Sequence, residues 1–294
     1  MIDKMLKSPR RWSVAVLLPR SLDEVCAQLA AHDDAELLGG GTDLMVAVNA
    51  GRHPVRTVIA LDRVAELATW RRERDDLVLG AGLTYRQLLE PDLAALVPAL
   101  AQAARTVGSP QIRNAGTLGG NLATASPAGD TLPVLAALDA TIVARSARGR
   151  REIAFADFFV GPKRTSLEPD ELIEAVRVPA AAGPQEFLKV GTRNAMVIAV
   201  ASVAVVVDRP GRSVRTGLGS VGPTPLRAPE AEAFVETAVD WERLAIPDPA
   251  VPDRFGALVS EAARPIDDHR STADYRRHCV GVLARRALTR IFTR

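Results

Sequence analysis

Cysteine is scarce here: Cys26 and Cys279 are the only two in 294 residues. They form no Cys-x-x-Cys pair, so this chain alone builds neither an iron–sulfur cluster nor a structural zinc site. Apolar helical neighbours, Val25 and Leu29 for one and Val282 and Leu283 for the other, mark both as small buried hydrophobes. Histidine is almost as sparse. His32, His53, His269 and His278 never pair at metal-ligand spacing, and surface or loop positions account for them. No Gly-x-Ser-x-Gly elbow and no Ser/His/Asp arrangement is present, which removes the usual nucleophilic hydrolases. Long apolar runs are missing too. Val14 to Leu18 stops at Pro19, too short for a signal-peptide core, and no run of about 20 apolar residues exists to span a membrane. A cytoplasmic protein is expected. The net charge of +2 is too small to argue for nucleic acid. Arg276, Arg277, Arg285, Arg286, Arg290 and Arg294 lack interleaved aromatics for base stacking, so they read as a solvated helix face.

What is present is an ordinary globular composition, 47% hydrophobic and 24% charged, long enough for one large or two ordinary domains. A capping box, Ser21-x-x-Glu24, opens a helix carrying Leu22, Val25 and Leu29. Strands are predicted at 36–38, 57–61 and 77–82, a short helix after Asp43, a box at Thr84-x-x-Gln87, and one helix over 92–106. A helix over 131–138, a hairpin of 140–146 with 151–155, and a strand over 171–178 follow. Pro179 to Pro184 is the best linker. Beyond it come strands at 186–190, 203–208 and 214–221, helices near 229–239 and 252–264, and a last helix from Ser271-x-x-Asp274 to about Phe292, with an apolar stripe of Tyr275, Cys279, Val282 and Leu283. Strands and helices mix without strict alternation, so the fold class is α+β rather than doubly wound.

Two glycine-rich segments carry the chemistry. Gly39-Gly40-Gly41-Thr42-Asp43 follows a strand and precedes a helix, where backbone N–H groups can cradle phosphates. No Gly-Lys-Ser/Thr follows, so it is not a P-loop. The second, residues 108–130, is dense in small polar groups. There Gly119-Gly120 allows close backbone approach or positive φ, and Thr117, Asn121, Thr124 and Ser126 offer hydrogen bonds. Two such loops can clamp one pyrophosphate. Gly217-Leu218-Gly219-Ser220-Val221-Gly222 matches the dinucleotide fingerprint in letters only, because Pro223 and Pro225 forbid the helix it must open. A strand with close backbone approach is the better reading. Anion-cradling loops without acid–base apparatus suit a protein whose cofactor does the chemistry.

Residues 38–44 and 111–130 resemble the two flavin-binding loops of the FAD-carrying medium subunit of the molybdenum hydroxylases, the xanthine dehydrogenase and aerobic carbon monoxide dehydrogenase type. Phe158 to Gly161, Leu167 to Ile173, Phe187 to Val190 and Ser271 to Arg277 extend the resemblance over nearly the whole chain. It implies a vanillyl-alcohol-oxidase-type FAD-binding domain over 1–178, with subdomains of about 1–62 and 63–178. A smaller α+β domain, an antiparallel sheet with helices, would occupy 185–294. It implies that Leu38, Gly39, Gly40, Gly41, Thr42, Asp43, Leu44 and Met45 wrap the pyrophosphate and adjoining ribitol. Thr117, Leu118, Gly119, Gly120 and Asn121 would meet the dinucleotide from the second loop, with Asp130 a cofactor-contacting acid. Leu172 and Lys189 would approach the isoalloxazine, the lysine favouring its anionic reduced form.

By the same resemblance, electrons reach FAD from the [2Fe–2S] clusters of a small partner subunit. A molybdenum-cofactor large subunit oxidises the substrate, NAD or another acceptor takes the electrons, and the assembly is a dimer of heterotrimers. No residue of this chain is then a catalytic acid or base. Ala125 to Asp130 leans towards the xanthine dehydrogenase type, with a carbon monoxide dehydrogenase or other heteroaromatic or aldehyde hydroxylase as alternatives. The first loop lacks the histidine used for covalent flavin, so noncovalent FAD is expected. No cysteine follows Asn121, so no extra [4Fe–4S] cluster is expected. A stand-alone flavoprotein oxidoreductase and a non-enzymatic FAD-binding assembly module are the readings of other classes.

Overall fold

The structure, a computed structural model, describes residues 14–180 and 183–293. Residues 1–13 of the expected first subdomain, Ala181 and Ala182 of the expected linker, and Arg294 lie outside the described residues.

Three short strands open the fold: Ala15–Leu17, Ala35–Leu38 and Thr57–Ala60, parallel, with Thr57–Ala60 central and buried throughout. Helix Leu22–Ala31 joins the first two. The Ser21 hydroxyl accepts from the Glu24 N–H at 3.2 Å, satisfying one otherwise open donor. Leu22, Val25, Cys26 and Leu29 form its buried stripe at helical spacing. A five-stranded antiparallel sheet follows, in the order Trp70–Glu73, Asp76–Gly80, Leu172–Pro179, Thr141–Ser146, Gly149–Ala154. The chain leaves it between Gly80 and Thr141 for a run of short helices.

One expected helix there is two. Pro91–Leu96 and Pro98–Thr106 are separated at Val97, whose φ of −133° and ψ of 66° are not helical. The proline ring pushes its predecessor out of the helical region, and Pro98 restarts the helix at a position that needs no N–H.

The C-terminal part is an antiparallel meander, Gln185–Val190, Ala201–Asp208 and Ser213–Gly219, with helices Pro229–Ala238, Val251–Ala262 and Ala273–Phe292. Its central strand is apolar almost without interruption because both faces are covered. Ala204 and Val206, with Phe187, join the core of the N-terminal part. Ala201, Val203, Val205 and Val207 pack against the C-terminal helices. The period-two alternation thus serves two cores.

The Gly-x-Gly of 217–219 is explained by that docking. A Cβ at Gly217 would stand 1.7 Å from the Pro133 carbonyl oxygen, and one at Gly219 2.6 Å from the Pro133 ring. Helix Leu132–Ala137 therefore rests directly on the strand backbone. The strand ends at Gly219, short of Val221, because Ser220 turns at φ +62°.

The last helix differs from expectation in three ways. Thr272, not Ser271, caps it, accepting from the Tyr275 N–H at 3.3 Å. Tyr275 is exposed, so the buried stripe starts at Arg276 and Cys279. Arg276 leaves the solvated set: it is 4% exposed and donates to the carbonyls of Val200 and Ser220, both at 2.9 Å, and to Asp268 at 2.7 Å. Among the described residues, no helix is long and apolar enough to cross a membrane.

Candidate cofactor site

The end of strand Ala35–Leu38 runs into the first glycine turn, which leads to helix Leu44–Asn49. Gly41 takes φ +69°, the left-handed bend that lets the chain double back. Gly40 is glycine for a different reason. A Cβ there would sit 1.7 Å from the Ala115 carbonyl oxygen, so this turn lies flush against the second segment. Among the described residues, the N–H groups of Gly40, Gly41, Thr42 and Asp43 have no acceptor. Four adjacent backbone donors without partners form a cradle for an anion.

Up to Thr124 the second segment is not a loop. It folds as helices Pro110–Ala115 and Leu118–Thr124, and Gly119 and Gly120 stand in the first turn of the latter. Their N–H groups are already used: Leu118 donates to Leu83 O at 2.9 Å, Gly119 to Ala81 O at 2.8 Å, and Gly120 to the Thr117 hydroxyl at 3.0 Å. The glycines serve close packing, since a Cβ on Gly119 would come within 2.6 Å of the Ala81 Cβ. One segment thus presents free donors, and the other is a rigid shelf beneath them.

Two cavities flank this contact, with Gly39, Gly40, Thr117, Gly120 and Ala123 in the walls of both. The first, of about 470 Å³, is mainly apolar, lined by Leu37, Leu61, Val64, Leu67, Leu172 and Ile173 among others. Leu172 and Ile173 are neighbours in sequence, yet both line it. A register shift between Ile173 and Ala175 marks a β-bulge that re-aims the strand there. Glu171, just before, is clamped by Arg151 at 2.7 and 2.8 Å, and that pairing holds its carboxyl below the usual carboxylate range. The second cavity, of about 510 Å³, is more polar and includes Glu36, Thr42, Asp43, Arg52, His53, Tyr85, Asn121, Thr124 and Lys163.

The expected site residues divide accordingly. Gly39, Gly40, Thr117 and Gly120 border both cavities. Leu38, Gly41, Thr42, Asp43, Leu44 and Asn121 line the polar one, Gly119 and Leu172 the apolar one. Four expected residues lie outside both cavity walls: Met45, Leu118, Asp130 and Lys189. Met45 lines neither cavity, and Val46 and Ala47 on the same helix line the polar one instead. Leu118 is fully buried in the core, because the first turn of its helix points it inward. Leu172 and Lys189 are not brought together at one wall. Lys189 borders neither cavity. It reaches from strand Gln185–Val190 to Asp130, Nζ to Oδ2 at 2.6 Å, with both side chains 8% exposed. The Thr106 hydroxyl also donates to Asp130 at 3.3 Å, while the other carboxylate oxygen is buried without a partner. Burial pushes the Asp130 carboxyl up, against the pull of Lys189 and Thr106.

Sequence reasoning missed Tyr85, Arg52, His53 and Lys163. Lys163 sits at the tip of hairpin Phe159–Gly161 and Arg164–Thr165, tied down by its N–H to Ala125 O at 2.9 Å. Only tertiary structure carries it to the cavity. Thr84 and Gln87 were legible as a capping box, and they form one, Thr84 N–H to Gln87 Oε1 at 2.9 Å and Gln87 N–H to Thr84 Oγ1 at 3.2 Å. That the pair also walls the apolar cavity was not legible. Among the described residues, no group of three or more His, Cys, Asp or Glu side chains could hold a metal.

Residues 12–181 match the family described as the FAD binding domain in molybdopterin dehydrogenase, and residues 186–291 the CO dehydrogenase flavoprotein C-terminal domain. The chain belongs to the FAD-binding subunits of the molybdopterin dehydrogenases. It is 37% identical to the nicotinate dehydrogenase FAD-subunit of Eubacterium barkeri, over 74% of this chain and 77% of that one. It is 33% identical to the glyceraldehyde dehydrogenase medium chain of Sulfolobus acidocaldarius, over 92% and 95% respectively. Among solved structures, a carbon monoxide dehydrogenase chain from Hydrogenophaga pseudoflava superposes with a TM-score of 0.85 at 31% identity, over 95% of this chain and 97% of that one. This family member is an FAD-binding oxidoreductase subunit with a mixed helix and sheet fold.

The site fits the cofactor of that family. Unpartnered N–H groups of the first turn suit the two phosphates of FAD, and the cavities on either side accommodate an elongated dinucleotide.

Proposed function

We propose that this chain is the electron-transfer subunit of a molybdenum hydroxylase complex, standing between a [2Fe–2S] small subunit and an acceptor such as NAD, with substrate oxidised on a molybdenum-binding large subunit. The observation that carries the reading is the row of free backbone donors at Gly40 to Asp43, set between two cavities that share the walls Gly40, Thr117 and Gly120. FAD, when bound, supplies reversible redox chemistry that accepts electrons singly or in pairs. The residues of this chain bind and position it. Gly40 to Asp43 hold the diphosphate by their N–H groups, Thr117 and Asn121 add side-chain hydrogen bonds, and Leu172 offers an apolar wall. The Asp130–Lys189 pair fastens the C-terminal sheet to the FAD-binding part.

On this reading the arrangement is of the vanillyl-alcohol-oxidase type. The FAD-binding domain covers 1–178, with subdomains of about 1–62 and 63–178, and the C-terminal domain covers 185–294. The separate parallel and antiparallel sheets of the first part support that division. A xanthine dehydrogenase-like role rests on the wording of Ala125 to Asp130 and is not singled out by the relatives, which are named for xanthine as well as for nicotinate, glyceraldehyde and carbon monoxide. The same kinship is the ground for a cytoplasmic dimer of heterotrimers. Purification of the chain with its neighbours tests the assignment. A yellow-brown complex containing flavin, iron and molybdenum is expected. A full chain that stays colourless after incubation with FAD contradicts it.

A further inference from the structure

Tyr85 was not among the expected site residues, and the packing gives it a role. Its N–H donates to the Gly116 carbonyl at 3.0 Å, and the preceding Thr84 bridges to Thr117, so the residue is fixed to the shelf segment. Its ring lies on Gly116, where a Cβ would come within 2.7 Å of the ring edge. The residue is 5% exposed and lines the polar cavity with Gly40, Asp43, Asn121 and Lys163. Its hydroxyl has no hydrogen-bond partner among the described residues, yet it is not one of the sealed, unpartnered buried atoms, so open space adjoins it. A nearly buried hydroxyl beside a cavity, with no acceptor from the protein, lacks a partner that a ligand can supply.

The donors that share its wall point to the kind of partner it lacks. Burial first, then the carboxylates of Asp130 and Asp43, push the phenol well above its ordinary range. At neutral pH it keeps its proton and can donate. The neighbouring N–H groups of Gly40 to Asp43 and the Lys163 ammonium are donors as well. The carboxylates of Glu36 and Asp43 stand in the same wall, but the four N–H groups with Arg52 and Lys163 outnumber them, and such a wall fits an acceptor-only group such as a diphosphate oxyanion.

We propose that Tyr85 is a binding residue for the diphosphate of the dinucleotide, its hydroxyl donating a hydrogen bond to a phosphate oxygen. This rests on the FAD reading above and adds a residue to it. The test is a titration of the flavin-free full chain with FAD and, separately, with riboflavin, which has no phosphate, for wild type and Tyr85→Phe. Loss of one hydrogen bond to a charged acceptor weakens FAD binding by about ten- to a hundredfold. Riboflavin should bind the two proteins alike, and the flavin-free variant should melt as wild type does, because the hydroxyl has no protein partner to lose.

FAD affinity of Tyr85→Phe within about twofold of wild type overturns the proposal. So does an equal loss for FAD and riboflavin, which would place the effect in packing rather than at phosphate. A wild-type chain that binds no FAD overturns the FAD reading itself. Should Tyr85→Phe melt lower, 3-fluorotyrosine at position 85 replaces it. That more acidic phenol should tighten FAD and leave riboflavin unchanged, and no selective change counts against the proposal.

Discussion

At the scale of the residue, the site depends on atoms that are missing as much as on those present. Gly40 has no room for a side chain against Ala115. Gly40→Ala must move the first turn off its shelf, at a cost on the order of 1–3 kcal/mol for overpacking. Flavin content should fall with stability, measured as the flavin-to-protein ratio beside a denaturant titration; retained stoichiometric flavin would contradict the account. The Asp130–Lys189 pair makes a second residue-scale prediction. Both side chains are buried, and Asp130 has one oxygen already without a partner. Lys189→Met strands the carboxylate and should destabilise by about 3–5 kcal/mol. The double variant Asp130→Asn with Lys189→Met should recover much of that in the same denaturation experiment, because no buried charge is then unpaired. Equal losses for the single and double variants would show that the pair matters only through packing.

At the scale of the element, the outlines of most strands and helices were legible because the patterns were local. Ser21, the 3.6-residue stripe of Leu22 to Leu29, and the apolar run of Ala201 to Val207 each declare themselves within a few residues. The candidate site was legible in its letters and not in its mechanics. Gly119 and Gly120 look like loop residues by composition, yet they open a helix, because the Thr117 cap and the close contact with Ala81 outweigh their poor helix propensity. Val97 is the reverse case, where Pro98 splits an otherwise sound periodicity. Tyr85 and Lys163 carried no signal, since what places them is contact with distant segments.

The last helix adds an acid-stability prediction. Burial pushes the Asp268 carboxyl up, but the N–H of Arg270, the Arg276 guanidinium and the N–H of Ser271 outweigh it and bring it from 3.8 down to about 2. A carboxyl with a folded value below its unfolded one stabilises the fold above the unfolded value and loses that contribution as pH falls through the folded one. Asp268→Asn should therefore lower the melting temperature at neutral pH and flatten its decline between about pH 4 and 2. An unchanged slope would exclude Asp268 as a source of that decline.

At the scale of the whole molecule, one strand serves two cores. Ala204 and Val206 belong to the FAD-binding part, and Ala201, Val203, Val205 and Val207 to the C-terminal helices. Helix Leu132–Ala137 rests on Gly217, and Asp130, just upstream of it, meets Lys189. Thr131, between Asp130 and that helix, donates to Asn121 Oδ1 in the polar cavity at 2.6 Å, which couples docking of the two parts to the cofactor site. Gly217→Val should separate them, giving two calorimetric transitions in place of one and a weaker hold on flavin; a single transition at the wild-type temperature would contradict the coupling. The turn from Gly39 to Asp43, pressed on the shelf from Thr117 to Asn121, is the proposed seat of FAD. Equilibrium titration of the flavin-free full chain with FAD tests it most directly. One FAD per chain is expected, with binding abolished by Gly40→Val. A wild-type chain that takes up no FAD, or a Gly40→Val chain that binds it as wild type does, would contradict it.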